Sequence, residues 1–334
     1  MQADGVRDGF RRLLGDPRGD IALGQNTHEL VIRLLSALPL ADRPRLVTTD
    51  AEFHTIRRQL DRLHEAGLEV VRVAGRPVDS VAERVVDALD ARVACVLMSS
   101  VYYETAEIVS HLDVVARACA RHGAALLVDA YHHLNVVPFD LTSMGLADAF
   151  VTGGGYKYCQ LGEGNCFLRI PPGVTLRPVL TGWFSEFSAL EETGAREVRY
   201  GDGAARFAGS TYDPTSHYRA ASVFAFHRKK ALTPPLLRAV SQHQIGVLMR
   251  GFEALDADPA FAHIEPIPKD RRAGFLAIRS PHARALSDAL RTRGVHTDAR
   301  GEVLRFGPAP YLCDDQLSDA MTRLGDVLRS FDAQ

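Results

Sequence analysis

Ser99, Ser100, Asp129 and Lys157 each stand at the end of an apolar run: the serines close VACVLMSS, the aspartate closes AALLVD, and the lysine follows DAFVTGGG between Tyr156 and Tyr158. Ionised side chains are almost never buried without a partner, so a carboxylate and a lysine in such places call for a role. A lysine at an apolar sheet edge has a depressed pKa and forms Schiff bases readily, and an aspartate beside it can pair with a protonated ring nitrogen. Taken singly, each has a plainer reading: a solvated loop lysine, an aspartate that caps a helix. GGGYK is also too short for the phosphate-binding GxxxxGK[ST] loop. It is their occurrence at matching strand ends that favours one shared crevice, because open α/β sheets bind ligands beyond the carboxyl ends of their strands.

The elements that must position these residues alternate along the chain. Residues 43–50, 69–75, 93–100, 124–130 and 148–154 read as strands. Between them, THELVIRLLSAL, FHTIRRQLDRLHEAG, SVAERVVDALDA and LDVVARACARHG carry apolar residues at helical spacing. Strands that are continuously apolar predict a mostly parallel central sheet covered by helices on both faces. After about residue 170 the pattern becomes irregular, then gives long helical segments at 216–232 and 234–256. The tail runs strand, helix, strand, helix (GFLAIRS, PHARALSDALRTRG, EVLRFGP, QLSDAMTRLGDVLRSF), which predicts a small α+β domain. The division expected is a large α/β domain over 1–235 and a small C-terminal domain over 236–334.

The 334 residues are enough for two domains, and 46% hydrophobic with 24% charged is an ordinary globular balance. A net charge of −2 offers no footprint for nucleic acid or an anionic membrane, so a small-molecule substrate is expected. Cys95, Cys119, Cys159, Cys166 and Cys313 form no CxxC pair and no metal-ligand spacing, which fits a reducing cytoplasm and no bound metal. No segment approaches the ~20 apolar residues of a membrane span, and the N-terminus lacks the apolar core of a signal peptide.

A lysine and an aspartate so placed are the arrangement expected of a pyridoxal phosphate enzyme. VDAYHHLNVVPFDL followed by DAFVTGGGYKYCQLGEGNCFLRI resembles the core of the class V, fold type I pyridoxal phosphate enzymes, and is most similar to kynureninase. The resemblance implies that Lys157 holds the cofactor covalently, Asp129 binds its ring nitrogen, Tyr156 reaches its phosphate and His132 sits beside the ring. IALGQNTHEL resembles the family's first strand-to-helix segment and implicates Thr27 and His28 in holding the phosphate at a helix N-terminus. Glu52-Phe53-His54-Thr55 falls where the family places the aromatic that stacks on the ring; Phe53 is the kynureninase-like choice and His54 the desulfurase-like one. MSSVYYETAE resembles the family's strand and cofactor loop, and so implicates Ser99 and Ser100.

VLTGWFSE is similar to a kynureninase glycine-tryptophan-aromatic run and contains Trp183, the chain's single tryptophan. RFAGSTYDPTSHYRA resembles the segment whose hydroxyl crosses a homodimer to the partner's phosphate, here Thr211 or Ser210. RGEVLRFGPAPYLCDD resembles the family's carboxylate strand, with Arg305 as the bidentate fork for an amino-acid substrate. Kynureninase-like chemistry would cleave Cβ–Cγ to give alanine and an aromatic acid; a class V aminotransferase or a carbon–sulfur lyase of the cysteine-desulfurase kind is the alternative. Two departures bear on the substrate. The chain begins almost at the first phosphate-binding segment, without the arm that lines the substrate site in relatives, and Ser-Asn-Pro-Pro is replaced by Ser210-Thr211-Tyr212-Asp213-Pro214. The desulfurase pattern Arg-x-Gly-x-x-Cys begins at Arg305 but has Pro310 at the thiol position, with Cys313 three residues on.

Overall fold

A computed structural model of the chain describes residues 2–190 and 196–332. Its main sheet has seven strands: β1 (Asp20–Gly24), β2 (Arg45–Thr49), β3 (Glu69–Val73), β4 (Val93–Ser99), β5 (Ala125–Asp129), β6 (Phe150–Gly154) and β7 (Cys166–Ile170). They lie in the order β1-β7-β6-β5-β4-β2-β3. β3, β2, β4, β5 and β6 pair in parallel, while β7 runs antiparallel to both β6 and β1. The mostly parallel sheet expected from the continuous apolar runs is therefore present, with one reversed strand.

Helices cover both faces, as buried strands require. On one face, α1 (Gln2–Leu13), α4 (Val81–Asp87), α5 (Leu112–His122) and α6 (Thr215–Lys229) bury Val6, Phe10, Val81, Val85, Val115, Ala118 and Phe224 in one cluster with Val96, Met98 and Val128. On the other, α2 (Thr27–Ala37) and α3 (His54–Glu65) bring Leu30, Leu34, Ile56 and Leu60 against Leu46, Leu97 and Leu127. β4 supplies both faces by alternation, except that Ala94 and Cys95 join the same cluster. A register shift in the pairing of β2 with β4 at that point accounts for the exception.

The N-terminal residues were expected only to lack a signal peptide. They form α1, whose buried Val6, Gly9, Phe10 and Leu13 recur at helical spacing.

Beyond α7 (Pro234–Glu253), a second, antiparallel sheet of four strands has the order β10-β11-β9-β8, from β8 (His263–Ile264), β9 (Leu276–Arg279), β10 (Asp298–Arg300) and β11 (Val303–Phe306). With α8 (Ala283–Thr292) and α9 (Asp314–Asp332) it encloses a third cluster around Leu248, Leu276, Leu286, Leu304 and Leu324. Among the described residues no helix is long and apolar enough to cross a membrane, and no group of His, Cys, Asp and Glu could hold a metal ion.

Candidate active site

The carboxyl ends of β2, β4, β5 and β6 open on the same edge of the sheet, and the chemistry-bearing residues gather there. Asp129, the last residue of β5, is paired in register with Ser99, the last residue of β4. One carboxylate oxygen of Asp129 accepts the Tyr131 N–H at 2.8 Å. Burial raises its pKa, against the lowering effect of that N–H and of Lys157. Ser100 donates its hydroxyl to the Asp129 carbonyl at 3.2 Å and its N–H to the same oxygen at 2.9 Å. The two strand ends are thus tied together at the backbone.

Lys157 follows β6 in a turn and is largely enclosed. Its Nζ lies 4.7 Å over the Tyr131 ring and 5.2 Å over the Phe53 ring, and 2.5 Å from Nε2 of His132. Burial depresses its pKa to about 8; Asp129 opposes the shift, and Arg305 and Arg300 add to it. His132 is buried as well, and burial with the charges of Lys157 and Arg305 keeps it neutral, its pKa well below the ordinary histidine value. Gly154 makes room for this packing. A Cβ there would stand 2.6 Å from both the Tyr131 ring and the Cys166 sulfur.

Of the two ring-stacking candidates, the structure brings Phe53 over Lys157. His54 instead approaches Arg57, with its Nδ1 3.2 Å from the guanidinium, and packs on Tyr103. Glu52, which precedes Phe53, is buried; it accepts the hydroxyl of Thr49 at 2.7 Å, the hydroxyl of Ser99 at 2.6 Å and the Ser99 N–H at 3.1 Å. Burial pushes the Glu52 carboxyl up to about 7 despite those donors. The side chain of Ser99 is therefore engaged with Glu52 and anchors the loop that carries Phe53.

The other candidates are more dispersed. Thr27 is the first residue of α2, whose cap is Asn26, with its side chain accepting the Glu29 N–H. His28 is 3.1 Å from Gln59 on α3 and is exposed. Tyr156 is exposed beside Lys157. Trp183 donates its indole N–H to Thr211 at 3.1 Å, so these two meet, but on an exposed surface with Val179, Leu180 and Phe187. Ser210 is exposed beside Thr211.

A cavity of about 450 Å³ adjoins Lys157. His132, Asn135 and Tyr156 line it from the main sheet, Ser241 and Gln244 from α7, and Arg305 from β11. Neither Asp129 nor Phe53 lines it. Arg305 is not a free fork: its guanidinium bonds the Asp298 carboxylate and the Tyr103 carbonyl, and lies 5.2 Å over the Phe275 ring. Pro310 lines the cavity and Cys313 does not.

Sequence reasoning missed Glu52, Tyr131, Asn135, Ser241, Gln244 and Asp298. Asp298 had a legible signal: it lies directly opposite Arg305 in a β10–β11 hairpin turning at Gly301. Ser241 and Gln244 had none, since helical periodicity does not say which face meets a cavity.

Residues 237–324 match the family model of the kynureninase C-terminal domain. No curated protein matches the chain in sequence. Solved structures are similar in fold. The complex of the cystine C–S lyase C-DES with its reaction product cysteine persulfide is 18% identical, with a TM-score of 0.81 over 97% of this chain and 86% of the other. A lysine-to-alanine mutant of C-DES with glycine covalently linked to its pyridoxal phosphate is 16% identical, with a TM-score of 0.82 over 97% and 85%. The apo cysteine desulfurase of Thermococcus onnurineus NA1 is 14% identical, with a TM-score of 0.80 over 98% and 84%. The chain has the fold type I architecture shared by class V enzymes.

Proposed function

We propose that this chain is a pyridoxal phosphate enzyme of amino-acid metabolism, most like kynureninase, which cleaves the Cβ–Cγ bond of its substrate with water to give alanine and an aromatic acid. The observation that carries the cofactor is a largely enclosed lysine, Lys157, just beyond the end of β6 and within electrostatic reach of the buried Asp129 carboxylate at the end of the neighbouring β5 in a fold type I sheet. That donor set fits the group. Asp129 would meet the ring nitrogen, Phe53 would cover the ring, and the N-terminus of α2 at Thr27 and His28, with Tyr156, would take the phosphate. When bound, the cofactor supplies an electron sink for negative charge at the substrate α-carbon.

The chain's own residues do the rest. Lys157 holds the cofactor and then moves the α-proton, a task that suits an amine whose pKa burial has brought to about 8. Neutral His132, in contact with Nζ, orients that amine. Arg305 binds the substrate α-carboxylate in exchange for Asp298. In the hydrolysis, water gives its hydroxyl to the γ-carbon and the β-carbon ends with the proton.

The kynureninase-like reading rests on the family match over 237–324 and on the cavity beside Lys157, within the range of about 300–1,000 Å³ typical of small-molecule sites. The alternative is an aminotransferase or a carbon–sulfur lyase, favoured by the likeness in fold to C-DES and the cysteine desulfurase. Against persulfide chemistry, Pro310 lines the cavity where a thiol would be needed.

Two copies of the chain are proposed to meet across the exposed apolar strip that holds Trp183, with Thr211 serving the partner's cofactor. Cytoplasmic function is proposed from the unpaired cysteines.

Mass-spectrometric product analysis after incubation of the cofactor-loaded protein with L-kynurenine and 3-hydroxykynurenine tests the reading, with Lys157→Ala as control. Alanine with the matching anthranilate, absent in the control, is expected. Pyruvate with sulfide from cysteine or with cysteine persulfide from cystine, alanine with enzyme-bound or released sulfur from cysteine, or an oxo acid from transamination, with no cleavage of either kynurenine, would replace the hydrolase by the alternative.

A further inference from the structure

Four buried side chains on the cavity wall beside Lys157 each keep one polar atom without a hydrogen-bond partner among the described residues: His132 Nδ1, whose ring faces Lys157, and, farther along the wall, Asn135 Oδ1, Ser241 Oγ and Gln244 Oε1. Which atom is left over follows from what the rest of each group does. The Asn135 amide donates to the Tyr158 carbonyl at 2.9 Å. The Gln244 amide donates to the carbonyls of Ala309 at 2.9 Å and Leu312 at 3.0 Å. Each NH2 group faces carbonyl oxygens, which only a donor can satisfy, so the remaining amide atom is an oxygen and an acceptor. Ser241 lies one helical turn before Gln244 on α7, and Leu237 lies one turn before Ser241, so one stripe of that helix meets the cavity.

Buried polar atoms are nearly always paired; here the Asn135 and Gln244 oxygens can only accept and the Ser241 hydroxyl can accept as well as donate, so this part of the wall is a poor surface for an apolar guest. The same wall is a good surface for a guest that brings donors, because those bonds form away from competing water. We propose that Asn135, Ser241 and Gln244 form the surface that selects the substrate side chain, and that it takes an amino acid whose side chain presents N–H or O–H donors. This rests on the reading of Lys157 and Arg305 given above and narrows it. Side chains of cysteine and cystine, which offer weak donors or none, are disfavoured. An amino- or hydroxy-bearing aromatic side chain is favoured.

Ser241 provides the cleanest variant. Its hydroxyl has no partner to lose, so Ser241→Ala leaves the melting temperature unchanged or raises it, while a hydroxyl with a structural role would lower it. Binding to the cofactor-loaded protein is then followed by the change in cofactor absorbance for two matched pairs: L-kynurenine against β-benzoyl-L-alanine, which lacks the ring amine, and L-glutamine against L-methionine. The donor-bearing member of each pair is expected to bind about tenfold more tightly or better, and Ser241→Ala to cut that preference several-fold. Equal affinities within both pairs, with the absorbance change showing that the amino acids bind, would overturn the inference and leave the proposed function standing. So would a preference that Ser241→Ala leaves intact together with a lowered melting temperature. A protein that shows no cofactor band dependent on Lys157 would remove the proposed function, and this inference with it.

Discussion

Asp298 and Arg305 face each other across the β10–β11 ladder, and the aspartate carboxylate holds the guanidinium on the cavity wall beside Lys157. The partner of the arginine is thus a carboxylate carried on the neighbouring strand, in the position where a substrate carboxylate would compete. Asp298→Asn weakens that competitor, and KM for the amino acid should fall several-fold with a smaller change in kcat. Arg305→Lys keeps a charge but loses the planar fork, and KM should rise about tenfold or more. An Asp298→Asn protein with raised KM would show instead that the aspartate aligns the arginine.

The depressed pKa of Lys157 sets the pH at which the apo-chain captures its cofactor. Capture needs the neutral amine, so the rate should climb with pH and level off above about 8. Asp129 raises this pKa, so Asp129→Asn should move the midpoint to lower pH. Borohydride trapping with peptide mapping would read both curves. A midpoint near the ordinary lysine value would contradict the burial of Lys157.

Glu52 gives a stability signature. Burial pushes its carboxyl up to about 7, against 4.5 for the free side chain, so between those values the folded chain holds a proton that the unfolded chain has released. The carboxyl's contribution is therefore fully present below about pH 4.5 and is lost as pH rises to about 7, by on the order of 3 kcal/mol. Denaturant unfolding of the apo-protein across that window should show the fall, and Glu52→Gln should flatten it. Because Glu52 also anchors the loop of Phe53, the variant should show a changed cofactor absorbance maximum. A slope unchanged by the substitution would assign the pH dependence to another group.

The strip with Val179 at 79%, Phe187 at 61% and Trp183 at 43% exposure should be covered in a dimer. Sedimentation of the cofactor-loaded protein should give two chains per particle, and Phe187→Glu with Val179→Glu should give one, with most activity lost as the proposed role of Thr211 at the partner's cofactor requires. Full activity from the monomer would detach the site from the interface.

Much of this was open to reading from the residues. Continuous apolar runs that end in Ser99, Asp129 and just before Lys157 announce parallel strands and the edge where their chemistry collects, since side-chain burial on both faces leaves its mark on every position. α1 went unread, although its buried Val6, Phe10 and Leu13 recur at helical spacing. The direction of β7 was not legible, because CFLRI is buried at every position and that pattern is the same whether the strand runs parallel or antiparallel. Nor did adjacent aromatic positions say which would turn inward: Phe53 and His54 are separated only by how Glu52 locks onto Ser99.

What the order of residues determined by itself was the set of reactive groups and the sheet edge that carries them, because burial periodicity and strand ends are local properties of the chain. Only the tertiary structure decided their partners. Lys157 meets His132, Arg305 meets Asp298, and the Ser241–Gln244 stripe of α7 closes the cavity opposite Asn135. Such contacts depend on how a helix and a second sheet settle against the first, and that is a balance of packing over many residues that no single motif records.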